Sequence, residues 1–137
     1  MDPRLERLWW TLRIAFGLTA FLAGLDKFFG LLVNWVQYLS PLITKTIPVS
    51  PDVFMRVVGV IEMAVGILVL TGLTRLGGYI MMAWLTLIAL SLLTTGHYFD
   101  VAVRDLGLAV GAYAMARISE VREEAYAKHR VGRLQTV

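Results

Sequence analysis

Apolar residues in this chain come in long runs, broken by short polar or glycine-containing breaks, rather than in the single stripe of a helix half-exposed to water. A helix needs roughly 20 predominantly apolar residues to cross a hydrocarbon layer of about 30 Å. Four stretches reach that length, at about residues 8–30, 53–73, 76–95 and 99–117. The third has no charged side chain, whereas the fourth carries Arg104 and Asp105 near its start and has the softest limits. The pattern predicts an all-α membrane protein, a four-transmembrane-helix bundle that forms a single domain over residues 1–137. Residues 118–137 read as a charged tail that continues the fourth helix into solvent.

The connections differ in kind. Gly72-Leu73-Thr74-Arg75 is a tight hairpin, and Gly96-His97-Tyr98 is equally brief. Residues 31–52 form a long connection with Trp35, Tyr38, Pro41 and Pro48, and such aromatics favour the headgroup level. Within it Val36, Leu39 and Ile43 recur at helical spacing, with Pro41 interrupting. This fits either a short interfacial segment over the bundle or a surface strap covering helix ends. The echo between GLDKFFG (residues 24–30) and GLTRLGG (residues 72–78) is read as two helix closures, where a glycine and a cation suit the C-terminus.

Composition agrees with lipid exposure. Of the 137 residues 58% are hydrophobic and only 17% charged, against roughly 45–50% and about a quarter in a soluble domain. The formal net charge is +3, but the cations flank the apolar runs instead of forming the dense stripe that nucleic acid requires. The lack of cysteine excludes a disulfide framework, a CxxC centre and a thiolate metal site. Arg4 and Arg7 precede a run too long for a signal-peptide core, so residues 8–30 read as a retained span.

Orientation follows from cations in short loops. One side of a four-span chain holds Arg4, Arg7, Arg75, Arg117, Arg122, Lys128, Arg130 and Arg133; the other has Lys45 as its clear loop cation. Both termini are therefore expected to be cytoplasmic, in the inner (plasma) membrane.

Ionisable groups within a span cost about 2.5–3.5 kcal/mol each on insertion scales and usually face the bundle interior. Glu62 falls near the middle of the second span. Arg104 and Asp105 lie about 5 Å from the midplane, Arg56 about 9 Å, and Asp26 and Lys27 about 10–12 Å. Arg13 lies towards the other surface, near enough for its head to snorkel. His97, Tyr98 and Asp100 close the charged layer at its outer edge. Three cations (Lys27, Arg56, Arg104) thus meet three acids (Asp26, Glu62, Asp105), which predicts mutual pairing, with a Glu62–Arg104 hydrogen bond as the specific expectation. Small residues let membrane helices approach closely. Gly17, Ala20 and Gly24 share a face with Lys27, Gly59 and Gly66 share one with Glu62, and Gly107, Gly111 and Ala114 share one with Arg104. The charges are therefore expected on packing faces, as structural glue or as the lining of a ligand pocket.

No catalytic constellation stands out, so a non-catalytic role is favoured and enzyme activity is left open. A bis-histidine haem needs two intramembrane histidines, and His97 is the single candidate; no metal site or phosphate loop appears. No cofactor is expected on ligands of its own.

LRIAFGLTAFLAGLDKFFG, with Gly17, Gly24 and Lys27, and VVGVIEMAVGILVLTGLTRLGG, with Glu62, Gly66 and Gly72, resemble the DoxX-like family of small four-span bacterial membrane proteins. Arg104, Asp105 and Gly107 in VAVRDLGLAVGAYA resemble the fourth-span pattern of one branch. The resemblance covers about residues 8–117. It implies an accessory, non-catalytic subunit of a membrane redox complex of the quinol oxidase or thiosulfate oxidation type. Binding or transport of a small amphiphile such as a quinone or lipid, and membrane-protein assembly, are the alternatives. Beyond the lipid bilayer, redox-complex subunits or further copies of the chain are the partners left open. The charged tail replaces the glycine-rich Ser-x-Asp ending of typical members.

Overall fold

The computed structural model describes residues 2–30, 35, 41, 45, 48 and 50–135. Four helices make up the bundle: α1 (Pro3–Phe29), α2 (Pro51–Leu70), α3 (Thr74–Thr94) and α4 (Phe99–Gln135). The first two open with side-chain caps and a proline in the first turn, which has no N–H to leave unbonded. Asp2 accepts from the Arg4 N–H at 2.8 Å, and Ser50 from that of Val53 at 3.3 Å. Gly30 ends α1 in the left-handed conformation (φ 66°), and Gly72 (φ 103°) makes the turn after α2. Thr74 and Arg75 already belong to α3, so the second of the two echoing motifs closes one helix and opens the next.

α1, α2 and α3 are long and apolar enough to cross a membrane. α4 carries Asp100, Arg104 and Asp105 in its first two turns and runs for 37 residues without a break, so the charged tail is one helix with the segment before it. Large apolar side chains stand exposed all along the bundle, among them Leu22, Val57, Val60, Leu87, Val103 and Val110. Exposed apolar surface on this scale needs lipid around it.

Neighbouring helices are antiparallel, and two pairs are in especially close contact. Along α1 and α2, Gly24 lies against Gly59 and Gly17 against Gly66. A Cβ on Gly24 would stand 2.5 Å from the Gly59 carbonyl oxygen, and one on Gly66 2.7 Å from that of Gly17. Two glycines seven residues apart on each helix thus form a seam where backbone meets backbone. α3 and α4 pack through Gly78 and an alanine stripe, Ala102, Ala109, Ala112 and Ala116, that also holds Asp105 and Ser119, while Gly77 lies against Val69 of α2. This stripe replaces the expected face of α4: Gly107 and Ala114 are exposed, and only Gly111 of that set turns inward, against Phe16. Alanine does on this helix what glycine does on the others.

The two pairs join mainly near the chain termini. Val65, Val69, Met81, Ala112 and Met115 form the buried core there, with Phe16 packed against it. Arg13 is half-buried. Its guanidinium donates to the Val69 and Leu70 carbonyls at 3.0 and 2.5 Å, satisfying acceptors that the end of α2 leaves free. Trp9 is buried and donates to Ser119 Oγ at 2.8 Å. Arg122 stacks on Trp9 at 3.9 Å and pairs with Glu6 at 3.0 Å, which fixes the charged end of α4 to α1. Arg75–Glu123 and a Tyr79–Glu120 hydrogen bond tie it to α3, while Arg117 pairs with Glu120 along α4 itself.

Candidate functional site

The glycine seam decides where Lys27 goes. A Cβ on Gly59 would lie 3.1 Å from the Lys27 Cβ, so the bare backbone of α2 gives the lysine stem room to lie along it. One turn further along α2 the ammonium donates to Glu62 Oε2 at 2.6 Å, with the two side chains only 5% and 12% exposed. Nζ also stands 3.8 Å from the centre of the Trp35 ring, whose Nε1 donates to Asp26 at 2.8 Å. The second oxygen of Glu62 accepts from Trp84 Nε1 at 3.4 Å. Three helices and one residue of the long connection therefore converge on a single ion pair.

This pair lies in the wall of a cavity of about 440 Å³ between the α1–α2 and α3–α4 pairs. Small residues close each pair, while the bulky Phe16, Met81 and Trp84 line the space between the pairs. The cavity is lined mainly by apolar side chains, with Lys27, Glu62, Ser91, Arg104 and Asp105 among the polar ones. Its volume falls in the usual range for small-molecule sites, about 300–1,000 Å³.

Four of the seven candidate residues thus line one space: Lys27, Glu62, Arg104 and Asp105. The expected Glu62–Arg104 bond is absent, because Lys27 occupies Glu62. Arg104 sits one position off the packing stripe, its side chain is 65% exposed, and it donates to Asp105 Oδ1 at 3.5 Å. Asp26 is buried beside the cavity on Trp35. Arg56 is exposed on α2, with no ion pair among the described residues. His97 is exposed in the α3–α4 turn, edge-on to Tyr98, and stays outside the cavity. Trp84 was not among the candidates, although a tryptophan in mid-span needs a partner for its N–H. The expected interfacial segment around Val36, Leu39 and Ile43 lies outside the described residues. No group of three His, Asp or Glu among the described residues is placed to hold a metal.

The DoxX family matches the chain over residues 8–96. The chain belongs to the DoxX family. The DoxX match takes in α2, α3 and most of α1, hence the glycine seam, the Lys27–Glu62 pair and Trp84. It stops before α4, so Arg104 and Asp105 are outside it. No curated protein and no solved structure matches the chain.

Proposed function

We propose that this DoxX-family membrane protein binds the polar head of a small amphiphile, of the quinone or membrane-lipid class, in the cavity between its helix pairs. On this reading it serves a membrane redox complex as a non-catalytic accessory subunit, with both termini cytoplasmic. The observation that carries the proposal is the Lys27–Glu62 pair in the wall of an otherwise mainly apolar, ligand-sized cavity. Desolvating two charges costs several kcal/mol per ion, and well-packed apolar residues often hold a fold equally well. A pair placed beside open volume is better accounted for by a ligand than by packing. Lys27 keeps N–H donors beyond the one given to Glu62, and these suit a carbonyl or phosphate oxygen. The apolar remainder of the cavity suits a ring or acyl chain. The redox setting rests on the association that DoxX membership implies, and the orientation rests on the distribution of loop cations.

The test is solvent extraction of the detergent-purified protein, followed by mass spectrometry of what is released. The wild type is expected to yield a stoichiometric quinone or lipid, and Glu62→Gln to yield much less. Equal recovery from both, or none from the wild type, contradicts the proposal.

A further inference from the structure

Asp105 takes part in one long contact, with Arg104, and its surroundings are unusual. It sits in the alanine stripe of α4, between Ala102 and Ala109, 5% exposed as a residue, and it lines the cavity. Its hydrogen bond comes from the neighbouring Arg104, to Oδ1, at the long distance of 3.5 Å. Successive residues on a helix point about 100° apart, so Arg104 stays on the outer flank and does not reach Oδ2. Among the described residues, no fully enclosed side-chain oxygen lacks a hydrogen-bond partner. Oδ2 has none, so it is not fully enclosed, and the residue that carries it lines the cavity. Glu62 differs, since both of its oxygens already accept bonds. The cavity therefore presents one open carboxylate oxygen.

Resting on the reading of this cavity as an amphiphile site, we infer that Asp105 is its headgroup residue. Its ligand is a neutral hydroxyl donor, an amphiphile with a phenolic or alcoholic end. An open acceptor takes a donor, which an ether or a plain ketone lacks. The charge count decides which donor. Lys27 and Arg104 balance Glu62 and Asp105, so an ammonium head would add an uncompensated charge to apolar surroundings, whereas a hydroxyl adds none. The same preference would distinguish the hydroxyl-bearing reduced form of a quinone from its carbonyl form.

Calorimetric titration of the detergent-purified full chain with para-nonylphenol and its methyl ether, para-nonylanisole, tests this. The two probes share ring and tail, and the ether replaces the hydroxyl hydrogen by a methyl. A hydrogen bond to a charged group predicts that the phenol binds the wild type about tenfold or more tightly than the ether. Asp105→Leu should reduce the phenol to the affinity of the ether. Asp105→Asn, which keeps the shape and replaces the carboxylate by a weaker acceptor, should shrink the preference several-fold. Equal wild-type affinities for phenol and ether overturn the inference while leaving the amphiphile cavity intact. Binding of neither probe overturns both. Nonylamine outbinding the phenol overturns the neutral-donor assignment, and an undiminished preference in Asp105→Asn overturns the role of the carboxylate.

Discussion

Replacing Gly59 by alanine should separate α1 from α2 and, with them, Lys27 from Glu62. The added methyl would stand 2.6 Å from the Gly24 carbonyl oxygen and 3.1 Å from the Lys27 Cβ. The reciprocal change, Gly24→Ala, puts a methyl 2.5 Å from the Gly59 carbonyl oxygen. Both obstacles are backbone, so no side-chain rotation relieves them. Against an ordinary contact of 3.4 Å the shortfall is about 0.9 Å, and the helices must part by that order. If the displacement fell along the ion pair, its 2.6 Å separation would reach about 3.5 Å, the outer limit of a hydrogen bond. Overpacking of this kind costs about 1–3 kcal/mol, and the helix-propensity gain of alanine, about 0.5–1 kcal/mol, offsets only part of it. Gly107→Ala is the control, since a Cβ there meets nothing within 4 Å. Thermal unfolding in detergent should show Gly24→Ala and Gly59→Ala destabilised and Gly107→Ala unchanged or stabilised. If Gly59→Ala matches Gly107→Ala, the seam does not set the register and the reasoning from it to Lys27 fails.

Lys27→Met should destabilise the bundle by about 3–5 kcal/mol, because it leaves Glu62 unpaired in the cavity wall. Lys27→Met combined with Glu62→Met should recover most of that loss in the same assay, and a double variant worse than either single one would contradict it. Arg13→Met removes the side-chain donor to the Leu70 carbonyl and one of two donors to that of Val69, which Thr74 Oγ1 also reaches at 2.8 Å, and should cost about 1–3 kcal/mol. Amide exchange should then quicken first in the last turn of α2, and unchanged protection there would show that Arg13 is not the cap.

The lengths of the helices were legible because runs of apolar residues report the thickness that they cross. The α1–α2 seam was legible too, because Gly17, Gly24, Gly59 and Gly66 are small residues at a seven-residue spacing among bulky ones. On α4 that logic pointed to Gly107, Gly111 and Ala114, whereas the packed stripe runs through Ala102, Asp105, Ala109, Ala112 and Ala116. The first half of this helix is rich in small residues on several sides, so size alone cannot orient it. Inverting it moved Arg104 outward and Asp105 inward, and it removed the Glu62–Arg104 bond. Which cation meets Glu62 depends on the rotation of each helix about its axis, a quantity that the charge balance of a span does not contain. The in-span charges pointed to a pocket, and four of them line the cavity, but its shape was not legible, because it arises between two tight helix pairs.

The central claim is that this cavity holds an amphiphile, and occupancy can be counted directly by native mass spectrometry of the intact protein released from detergent. Ala23 lines the cavity one turn from Lys27, and Ala23→Phe fills that space without touching the ion pair chemically. A discrete adduct of one small molecule per chain is expected on the wild type, and its loss from a folded Ala23→Phe. A bare wild-type mass, or an adduct carried equally by both proteins, would contradict it.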